Sequence, residues 1–321
     1  MRIAVTGAGG FVGLNIVERL AADGHEVLAI DRAFSQRSAA VISPVAKMAQ
    51  ADVLDADAIK AALTDFRPDA LFHGATLTAN LTREKSSFAD IIDVNVVGTA
   101  RVLEAAHGCG VRRVVVASSS AVYGQALFMA PPAETDPTVP VTLYGITKLA
   151  AEQAALRFAD INGLDVRVAR IAAVFGAYEH RSGARDVMSP LFQLGEKALA
   201  GEAAHLPKGG AREWIAAPRV ASIVALLLTA PQPAHRIYNV AASRTWAPPL
   251  LARALEAGFP GWRWSHEGVP NVDYADDLTR TRSALDTSRL RHEFGDAVVG
   301  DPDTDAVDYV RWLRGHGDWF H

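Results

Sequence analysis

The residues "RIAVTGAGGFVG", numbers 2–13, indicate the kind of fold to expect. They begin with a short apolar run typical of a buried strand. Gly7, Gly10 and Gly13 follow at intervals of three, and residues 11–24, "FVGLNIVERLAADG", have apolar side chains at helical spacing. A glycine-rich turn between a strand and a helix lets the chain turn tightly and the helix pack close to the strand. The stretch therefore predicts the first half of a βαβ unit.

The same alternation of strand and helix continues to about residue 176. Strands are predicted at 25–31, 69–75, 111–120 and 164–176, and helices at 55–66, 86–110 and 143–163. Such alternation predicts an α/β fold with a doubly wound parallel sheet, the Rossmann arrangement, in residues 1–176. Beyond this point the rhythm breaks, and the polar stretch 177–190 is predicted to be a loop. Residues 177–321 are expected to form a smaller C-terminal α+β lobe that binds substrate, with 212–242 rejoining the main sheet.

The composition narrows the class of protein. Half of the 321 residues are apolar and 21% are charged, and the net charge is −4, which gives no general attraction to nucleic acid or anionic membranes. The single cysteine, Cys109, cannot form an internal disulfide and fits a reducing compartment. No signal peptide or membrane-spanning run is recognised, so a cytoplasmic soluble protein is expected. No metal site is predicted.

The glycine turn and an acid after the second strand point to a dinucleotide. The amides at a helix N-terminus, with their partial positive charge, bind phosphates, and glycines let a pyrophosphate approach the backbone. Asp31 lies eighteen residues beyond Gly13, at the end of the second predicted strand. Its carboxylate can accept hydrogen bonds from the adenosine ribose and would repel a 2′-phosphate, so NAD is favoured. The neighbouring Arg32 could bind that phosphate, which keeps NADP as the less favoured alternative.

A tyrosine and a lysine one helical turn apart suggest proton transfer. Tyr144 and Lys148 lie at i and i+4 in "LYGITK", residues 143–148, and share one face if the segment is helical. A phenol is a poor base at neutral pH, but a nearby ammonium favours the phenolate. We therefore expect Lys148 to bring the pKa of Tyr144 towards neutrality. Three serines, Ser118 to Ser120, follow a predicted strand in "SSSAVYG", residues 118–124.

Four stretches together resemble one family. "TGAGGFVG", "DVNVVGTARVLEAA", "SSSAVYG" and "LYGITK" are similar to the extended short-chain dehydrogenases/reductases, the NAD-dependent epimerase/dehydratase family. The resemblance is close up to about residue 176 and looser through "REWIAAPRVA" and "IYNVA". It implies that Tyr144 is the general acid/base, that Lys148 also holds the nicotinamide ribose, and that Ser119 hydrogen-bonds the reacting oxygen. The expected cofactor contacts are Gly7, Gly10, Phe11, Val12, Gly13, Asp31, Arg32, Asp52, Val53, Gly74, Ala75, Asn95, Ser118, Tyr144 and Lys148.

The resemblance leaves two reactions open. Dehydratases of the family carry an acidic pair after the catalytic residue, whereas this chain has Ser120 and Ala121, so dehydration is not expected. Epimerisation with recycled NAD and net oxidation with release of NADH both require Ser119, Tyr144 and Lys148. A catalytically silent, NAD-binding regulatory protein on the same fold is the alternative of another class. Such sensors tend to lose the Tyr or Lys, and here both are present.

The substrate lobe departs from the pattern of nucleotide-sugar enzymes. Ala173 replaces a family asparagine, and Pro218 and Arg219 replace two aspartates, while Arg212 keeps the position of a diphosphate-binding arginine. These changes favour a smaller polyol, sugar or sugar acid but leave a nucleotide sugar open. Substrate contacts are expected from Ser119, Tyr144, Arg212 and Arg282, and a carboxylate or phosphate clamp could also include Arg181, Arg185 and Arg280.

Other residues have structural interpretations. His73, at a strand end, is predicted to be structural, and the tryptophans at 246, 262, 264, 312 and 319 are expected to be packing or interface residues more often than walls of a sugar site. Related proteins pair two long helices across a two-fold axis, here about 86–107 and 145–162. A homodimer is therefore expected.

Overall fold

The computed structural model describes residues 1–186, 188–274 and 281–320. Its strands are β1 (Arg2–Thr6), β2 (Glu26–Asp31), β3 (Lys47–Gln50), β4 (Ala70–His73), β5 (Arg113–Ser119), β6 (Asp165–Ile171), β7 (Ala173–Phe175), β8 (Ala204–His205), β9 (Arg212–Ala216), β10 (Ile237–Val240), β11 (Thr245–Trp246) and β12 (Trp264–Ser265). Its α-helices are α1 (Phe11–Ala22), α2 (Gln36–Ile42), α3 (Ala56–Phe66), α4 (Leu81–Ser86), α5 (Phe88–Ile92), α6 (Gly98–Gly108), α7 (Leu143–Asn162), α8 (Pro190–Ala200), α9 (Ala217–Thr229), α10 (Pro249–Gly258), α11 (Ser288–Phe294) and α12 (Pro302–Gly315).

The main sheet has seven parallel strands in the order β10-β6-β5-β4-β1-β2-β3. Alternate residues of β1 face opposite sides: Ile3 and Val5 join a core with α1 and α9, whereas Ala4 joins a core with α3, α6 and α7. Helices therefore cover both faces, and the predicted doubly wound parallel sheet is confirmed. The strand order reverses between β1 and β4, and in such sheets ligands bind at the carboxyl ends of the strands beside that point.

The stretch 164–176, predicted to be one strand, is two strands in different sheets. The strand β6 belongs to the main sheet and ends at Ile171. The strand β7 starts at Ala173 and pairs with β9. Between them the amide of Ala172 donates to the carbonyl of Val240, 3.0 Å away. Because the chain leaves the main sheet here, β9 lies in a small sheet with β7 and β11 and does not rejoin the main sheet as expected. Only β10, within 212–242, pairs with β6 as a strand of the main sheet.

The C-terminal residues have a core of their own. Leu191, Leu194, Leu251, Trp262 and Leu313 are among its buried members, and they belong mainly to α8, α10 and α12. The division at residue 176 stays a prediction. Within the described part of the chain, no helix combines the length and apolar character needed to cross a bilayer.

Capping fixes where the helix of the predicted tyrosine begins. Thr142 lies at the N-cap of α7, and its hydroxyl accepts a hydrogen bond of 3.1 Å from the amide of Gly145. Such a cap satisfies a backbone N–H that has no partner in the helix. Tyr144 therefore lies in the first turn of a 20-residue helix, and Lys148 lies one turn further on the same face.

Candidate active site

A cavity of about 420 Å³ lies at the carboxyl ends of the main-sheet strands. It extends from the turn between β1 and α1, past the ends of β2, β4 and β5, to the first turns of α7 and the C-terminal residues. The residues predicted for cofactor and substrate that line it are Gly7, Gly10, Phe11, Val12, Gly13, Asp31, Arg32, Asp52, Val53, Gly74, Ala75, Ser118, Ser119, Tyr144, Lys148, Arg212 and Arg282. The structure thus brings together groups that are up to 275 residues apart in the sequence.

Two glycines of the first turn have no room for a side chain. A Cβ atom on Gly13 would lie 2.1 Å from the carbonyl oxygen of Gly7, and one on Gly7 would lie 2.7 Å from the amide nitrogen of Ala75. Gly7 also has a φ of +71°, in the left-handed region that favours glycine. The N-terminus of α1 therefore lies directly against the turn and at the cavity, as a phosphate-binding helix must.

Asp31 ends β2 at the cavity. Its Oδ2 accepts a hydrogen bond of 2.9 Å from the amide of Gly9, and burial raises the pKa of its carboxyl. The neighbouring Arg32 also lines the cavity. A carboxylate beyond the glycine turn is positioned to accept ribose hydroxyl groups, so these residues fit a dinucleotide.

The side chains of Ser119 and Thr78 act to lower the pKa of the Tyr144 hydroxyl. Burial nevertheless raises the pKa of Tyr144, and the positive charge that opposes this rise belongs to Arg185. The expectation that Lys148 brings this pKa towards neutrality is therefore wrong, because loss of hydration outweighs the charge of Arg185 and the influence of the two hydroxyl groups.

Lys148 is only 4% exposed, and burial lowers its pKa to about 8. The carboxylate of Glu152, one turn further along α7, opposes this change because it favours the ammonium form. Glu152 also accepts a hydrogen bond of 2.9 Å from the hydroxyl of Ser118. Arg170, on β6, donates to the two carboxylate oxygens of Glu152 over 3.1 and 2.5 Å. This buried group connects the end of β5 to the helix of Tyr144.

Asn95 lies behind the cavity wall and does not line it, and its assignment as a cofactor contact stays a prediction. Its amide nitrogen donates to the carbonyl of Leu77 and the hydroxyl of Thr147, and its amide oxygen accepts from the Leu77 amide and the hydroxyl of Thr76. The residue is 1% exposed, in a π turn at Asp93–Val97. Because its side-chain amide makes these four hydrogen bonds, Asn95 holds the segment after β4, next to Thr78, against α7.

His73 has two partners on neighbouring elements. Its Nδ1 lies 2.8 Å from the hydroxyl of Thr6, and its Nε2 lies 3.0 Å from that of Thr99. Burial, together with the charge of Lys148, lowers the pKa of His73 to about 3. The residue is therefore neutral at physiological pH, in keeping with a structural role.

Three arginines line the end of the cavity that includes Tyr144. Burial and the charge of Arg185 lower the pKa of Arg212 to about 10, and burial and the charge of Arg212 lower that of Arg282 to about 9. Their guanidinium groups lie over aromatic rings, Arg212 at 5.6 Å from Trp214 and Arg282 at 5.2 Å from Phe128. The three cations are thus close enough to repel one another.

The other substrate candidates lie elsewhere. The Nη2 of Arg181 donates to Glu196 over 2.8 Å, outside the cavity lining, and Arg280 lies outside the described residues. The tryptophans of the C-terminal part pack in the apolar cores, and the described lining of the cavity includes none of them.

Sequence reasoning missed Thr78, Glu152, Arg170 and Glu179. Glu152 had a signal, since it follows Lys148 by four residues and therefore shares its helical face. Thr78 follows the carboxyl end of β4, where ligands bind in parallel sheets. Arg170 and Glu179 had no such signal, because their partners come from distant parts of the chain.

The sheet is doubly wound, with a glycine turn between β1 and α1. A serine lies at the end of β5, and a tyrosine and a lysine lie near the start of α7. Together these features define an extended short-chain dehydrogenase/reductase. The chain belongs to the NAD dependent epimerase/dehydratase family, whose sequence profile matches residues 3–241.

Known proteins similar to the chain include an epimerase and a dehydratase. A UDP-glucose 4-epimerase of Mycolicibacterium smegmatis is 36% identical over 199 residues, 59% of this chain and 61% of that protein. A dTDP-glucose 4,6-dehydratase of Streptomyces niveus is 26% identical over 334 residues, 100% of this chain and 95% of that protein. The chain thus spans about three fifths of the length of the first relative.

Among solved structures, the UDP-glucose 4-epimerase of Thermus thermophilus in complex with NAD matches with a TM-score of 0.79. The match covers 98% of this chain and 100% of that one at 23% identity. A likeness at this level of identity shows the fold alone.

Proposed function

We propose that the chain is an NAD-dependent enzyme that transfers hydride at a secondary alcohol or ketone of a sugar-type substrate. One observation carries the proposal: Tyr144, Ser119 and Lys148 line the same cavity as the glycine turn and Asp31. The proposed proton-transfer group and the proposed dinucleotide site thus lie in one cavity. Membership of the family and the NAD complex of the Thermus enzyme support this cofactor.

Each part of the cavity has a role in holding the cofactor. The N-terminus of α1 binds the pyrophosphate, Asp31 accepts hydrogen bonds from the adenosine ribose, and Lys148 donates to the nicotinamide ribose. NAD, when bound, supplies the hydride acceptor. The carboxylate of Asp31 disfavours a 2′-phosphate, which makes NADP the poorer ligand despite Arg32.

The chain's own residues move the proton. In oxidation, the substrate hydroxyl gives its proton to the phenolate of Tyr144 while its carbon loses hydride, and reduction reverses both transfers. Ser119 hydrogen-bonds the reacting oxygen. Because burial raises the pKa of Tyr144, the phenolate depends on the nearby positive charge of Arg185.

Epimerisation and net oxidation use these residues alike, and both stay open. Dehydration is disfavoured, because Ser120 and Ala121 follow Ser119 in the cavity lining and neither can protonate a leaving hydroxyl. This argument holds although a dehydratase is among the relatives.

The cofactor content of the purified, undialysed protein is the test. Near-stoichiometric NAD or NADH after denaturation, identified by mass spectrometry, supports an epimerase that recycles its cofactor. An empty site that binds NAD reversibly supports a dehydrogenase. If NAD binds but no alcohol or ketone is turned over, the silent regulatory protein becomes the better interpretation. Failure to bind NAD would contradict both the proposed enzyme and the silent regulatory protein.

We also propose a homodimer in a reducing, cytoplasmic compartment. Phe88 on α5 and Ile146 and Ile161 on α7 are 56%, 49% and 62% exposed, an apolar surface on the helices expected to pair. Light scattering at micromolar concentration should give twice the monomer mass. A monomer would contradict the dimer alone.

A further inference from the structure

A short part of the loop between β7 and α8, residues 182–186, forms one wall of the active-site cavity, and we call it the strap. The strap residues that line the cavity are Ser182, Ala184 and Arg185. The strap lies along the segment after β4: Arg185 forms a parallel bridge with Thr78, whose amide donates to the Ala184 carbonyl over 2.8 Å. Because the charge of Arg185 acts on Tyr144, the strap borders the end of the cavity that contains the proposed proton-transfer group.

A second cavity lies on the other side of the strap. It is a cleft of about 650 Å³, and its lining includes Asp186 at the end of the strap, Arg181 just before it, and Asn80 and Gln193. Of the residues that the structure describes, none lines both cavities. The strap therefore separates the active-site cavity from the cleft, and a movement of the strap would join the two.

An ion pair fixes the strap in this position. The guanidinium of Arg83, on α4, faces both carboxylate oxygens of Asp186: its Nε donates to Oδ2 over 3.0 Å, and its Nη2 lies 2.5 Å from Oδ1. The same Nη2 donates to the carbonyl of Gly183 over 2.7 Å. The side chains of Arg83 and Asp186 are only 26% and 12% exposed. A paired contact of this kind, partly shielded from water, is stronger than an ordinary surface ion pair.

The helix that carries Arg83 is itself attached to the helix of the tyrosine. Glu84, the next residue on α4, accepts a hydrogen bond of 2.9 Å from the amide of Leu143, the first residue of α7. Asn80 caps α4, and its own amide donates to Asp186 over 3.0 Å. Arg83 thus belongs to a fixed support, whereas the strap is loop. When the ion pair breaks, the strap is the part that is free to move.

We propose that the strap is a gate for the dinucleotide and that the ion pair between Arg83 and Asp186 holds the gate closed. The inference rests on the NAD binding proposed above and adds how the cofactor enters and leaves. Hydride transfer requires the nicotinamide beside Tyr144, at the end of the cavity that the strap borders. With the ion pair formed, this end is closed towards the cleft, so the pair slows both release and entry of NAD.

The test measures how fast the bound dinucleotide exchanges. Protein saturated with NAD is mixed with excess NADH in a stopped-flow instrument, and the fluorescence of bound NADH reports the rate at which NAD leaves. A fluorescence titration gives the affinity for NADH. The variants are Arg83→Met, Asp186→Asn and the double variant, with Arg83→Lys as a milder change. The matched control is Lys85→Met, which removes the same charge from an exposed position on α4. Thermal unfolding checks that every variant folds.

We expect Arg83→Met and Asp186→Asn each to speed the exchange by about ten- to a hundredfold, the usual range for a lost charge-assisted hydrogen bond. The affinity for NADH should change by less than about threefold, because an open gate speeds entry as well as release. The double variant should exchange at about the rate of the faster single variant, since both substitutions remove one interaction. Arg83→Lys should give an intermediate rate, and Lys85→Met the natural rate.

Three results would overturn the inference. Exchange in the Arg83→Met and Asp186→Asn variants within about threefold of the natural rate would show that the dinucleotide leaves by another route. An affinity that falls as much as the exchange rate rises would show that the pair only supports the binding site. An equal effect of Lys85→Met would remove the ion pair from the explanation. The proposed function fails separately, if the natural protein neither contains NAD nor takes up NADH, or if NAD exchanges as expected but no alcohol or ketone is turned over.

Discussion

The hydroxyl of Ser118, the last but one residue of β5, donates a hydrogen bond of 2.9 Å to the carboxylate of Glu152 on α7. Glu152 is fully buried and also pairs with Arg170. One carboxylate thus connects the strand that ends at Ser119 to the helix whose first turn contains Tyr144. Its negative charge favours the ammonium of Lys148, so it positions two residues of the proposed site without lining the cavity itself.

Glu152→Gln should lower the pKa of Lys148 below its value of about 8, because the charge that raises it is removed. If the ammonium is the active form, the alkaline limb of the profile of kcat/KM against pH moves to lower pH. Rates measured from pH 6 to 10 check this, with Glu104→Gln, an exposed position on α6, as control. An unchanged alkaline limb would show that Glu152 has only a structural role.

Tyr144→Phe should lower kcat by about 10²- to 10⁴-fold, because the proton-transfer group is lost while the ring is kept. The affinity for NAD should change by less than about threefold. Steady-state rates and a fluorescence titration with NADH measure the two quantities. Activity that survives the substitution would remove Tyr144 from the proposed mechanism.

Asp31→Asn should weaken NAD binding by roughly tenfold or more, the effect of losing a charged acceptor for ribose hydroxyls. The affinity for NADP should fall less or rise, because Arg32 stays while the repelling charge is removed. Calorimetric titrations with both nucleotides give the ratio, and Asp57→Asn, at an exposed position on α3, serves as control. An unaltered NAD/NADP ratio would show that Asp31 does not face the ribose.

The buried His73 should make the fold sensitive to acid. Its pKa is about 3 in the folded chain, against an ordinary histidine value of about 6.5 in the unfolded chain, so the unfolded chain binds more protons between these values. The free energy of unfolding should therefore fall as pH drops from 6.5 towards 3, by up to about 1.4 kcal/mol per pH unit from this residue. Denaturant titrations of His73→Gln should show a shallower dependence. Equal slopes for the two proteins would mean that His73 is not the group responsible.

Gly13→Ala should abolish tight NAD binding and destabilise the fold by about 1–3 kcal/mol, because the new Cβ would lie 2.1 Å from the Gly7 carbonyl oxygen. Gly108→Ala, at the end of α6, is the matched control, since a Cβ there meets nothing within 4 Å. Calorimetric NAD titration and thermal unfolding distinguish the two variants. Normal NAD binding by Gly13→Ala would contradict the close packing of α1 on the turn.

Much of the fold could be predicted because its signals are local. The strand, glycine turn and helix of residues 2–24 are contiguous, and the alternation that predicts a parallel sheet repeats over short spans. The break at Ala172 was missed, since residues 164–175 contain no glycine or proline that would mark the end of a strand. Only the pairing of β7 with β9, some forty residues away in sequence, divides that run between two sheets.

By itself the sequence determined the sheet class, the glycine turn and the shared helical face of Tyr144 and Lys148, since each depends on spacing within a few residues. The tertiary structure alone decided the surroundings of these groups. It placed Arg185 beside Thr78, tied Ser118 to Glu152 and put Asn95 behind the cavity wall. It also decided the direction of the Tyr144 pKa, because burial depends on the packing of the whole chain around the phenol, and spacing along one helix does not encode that packing.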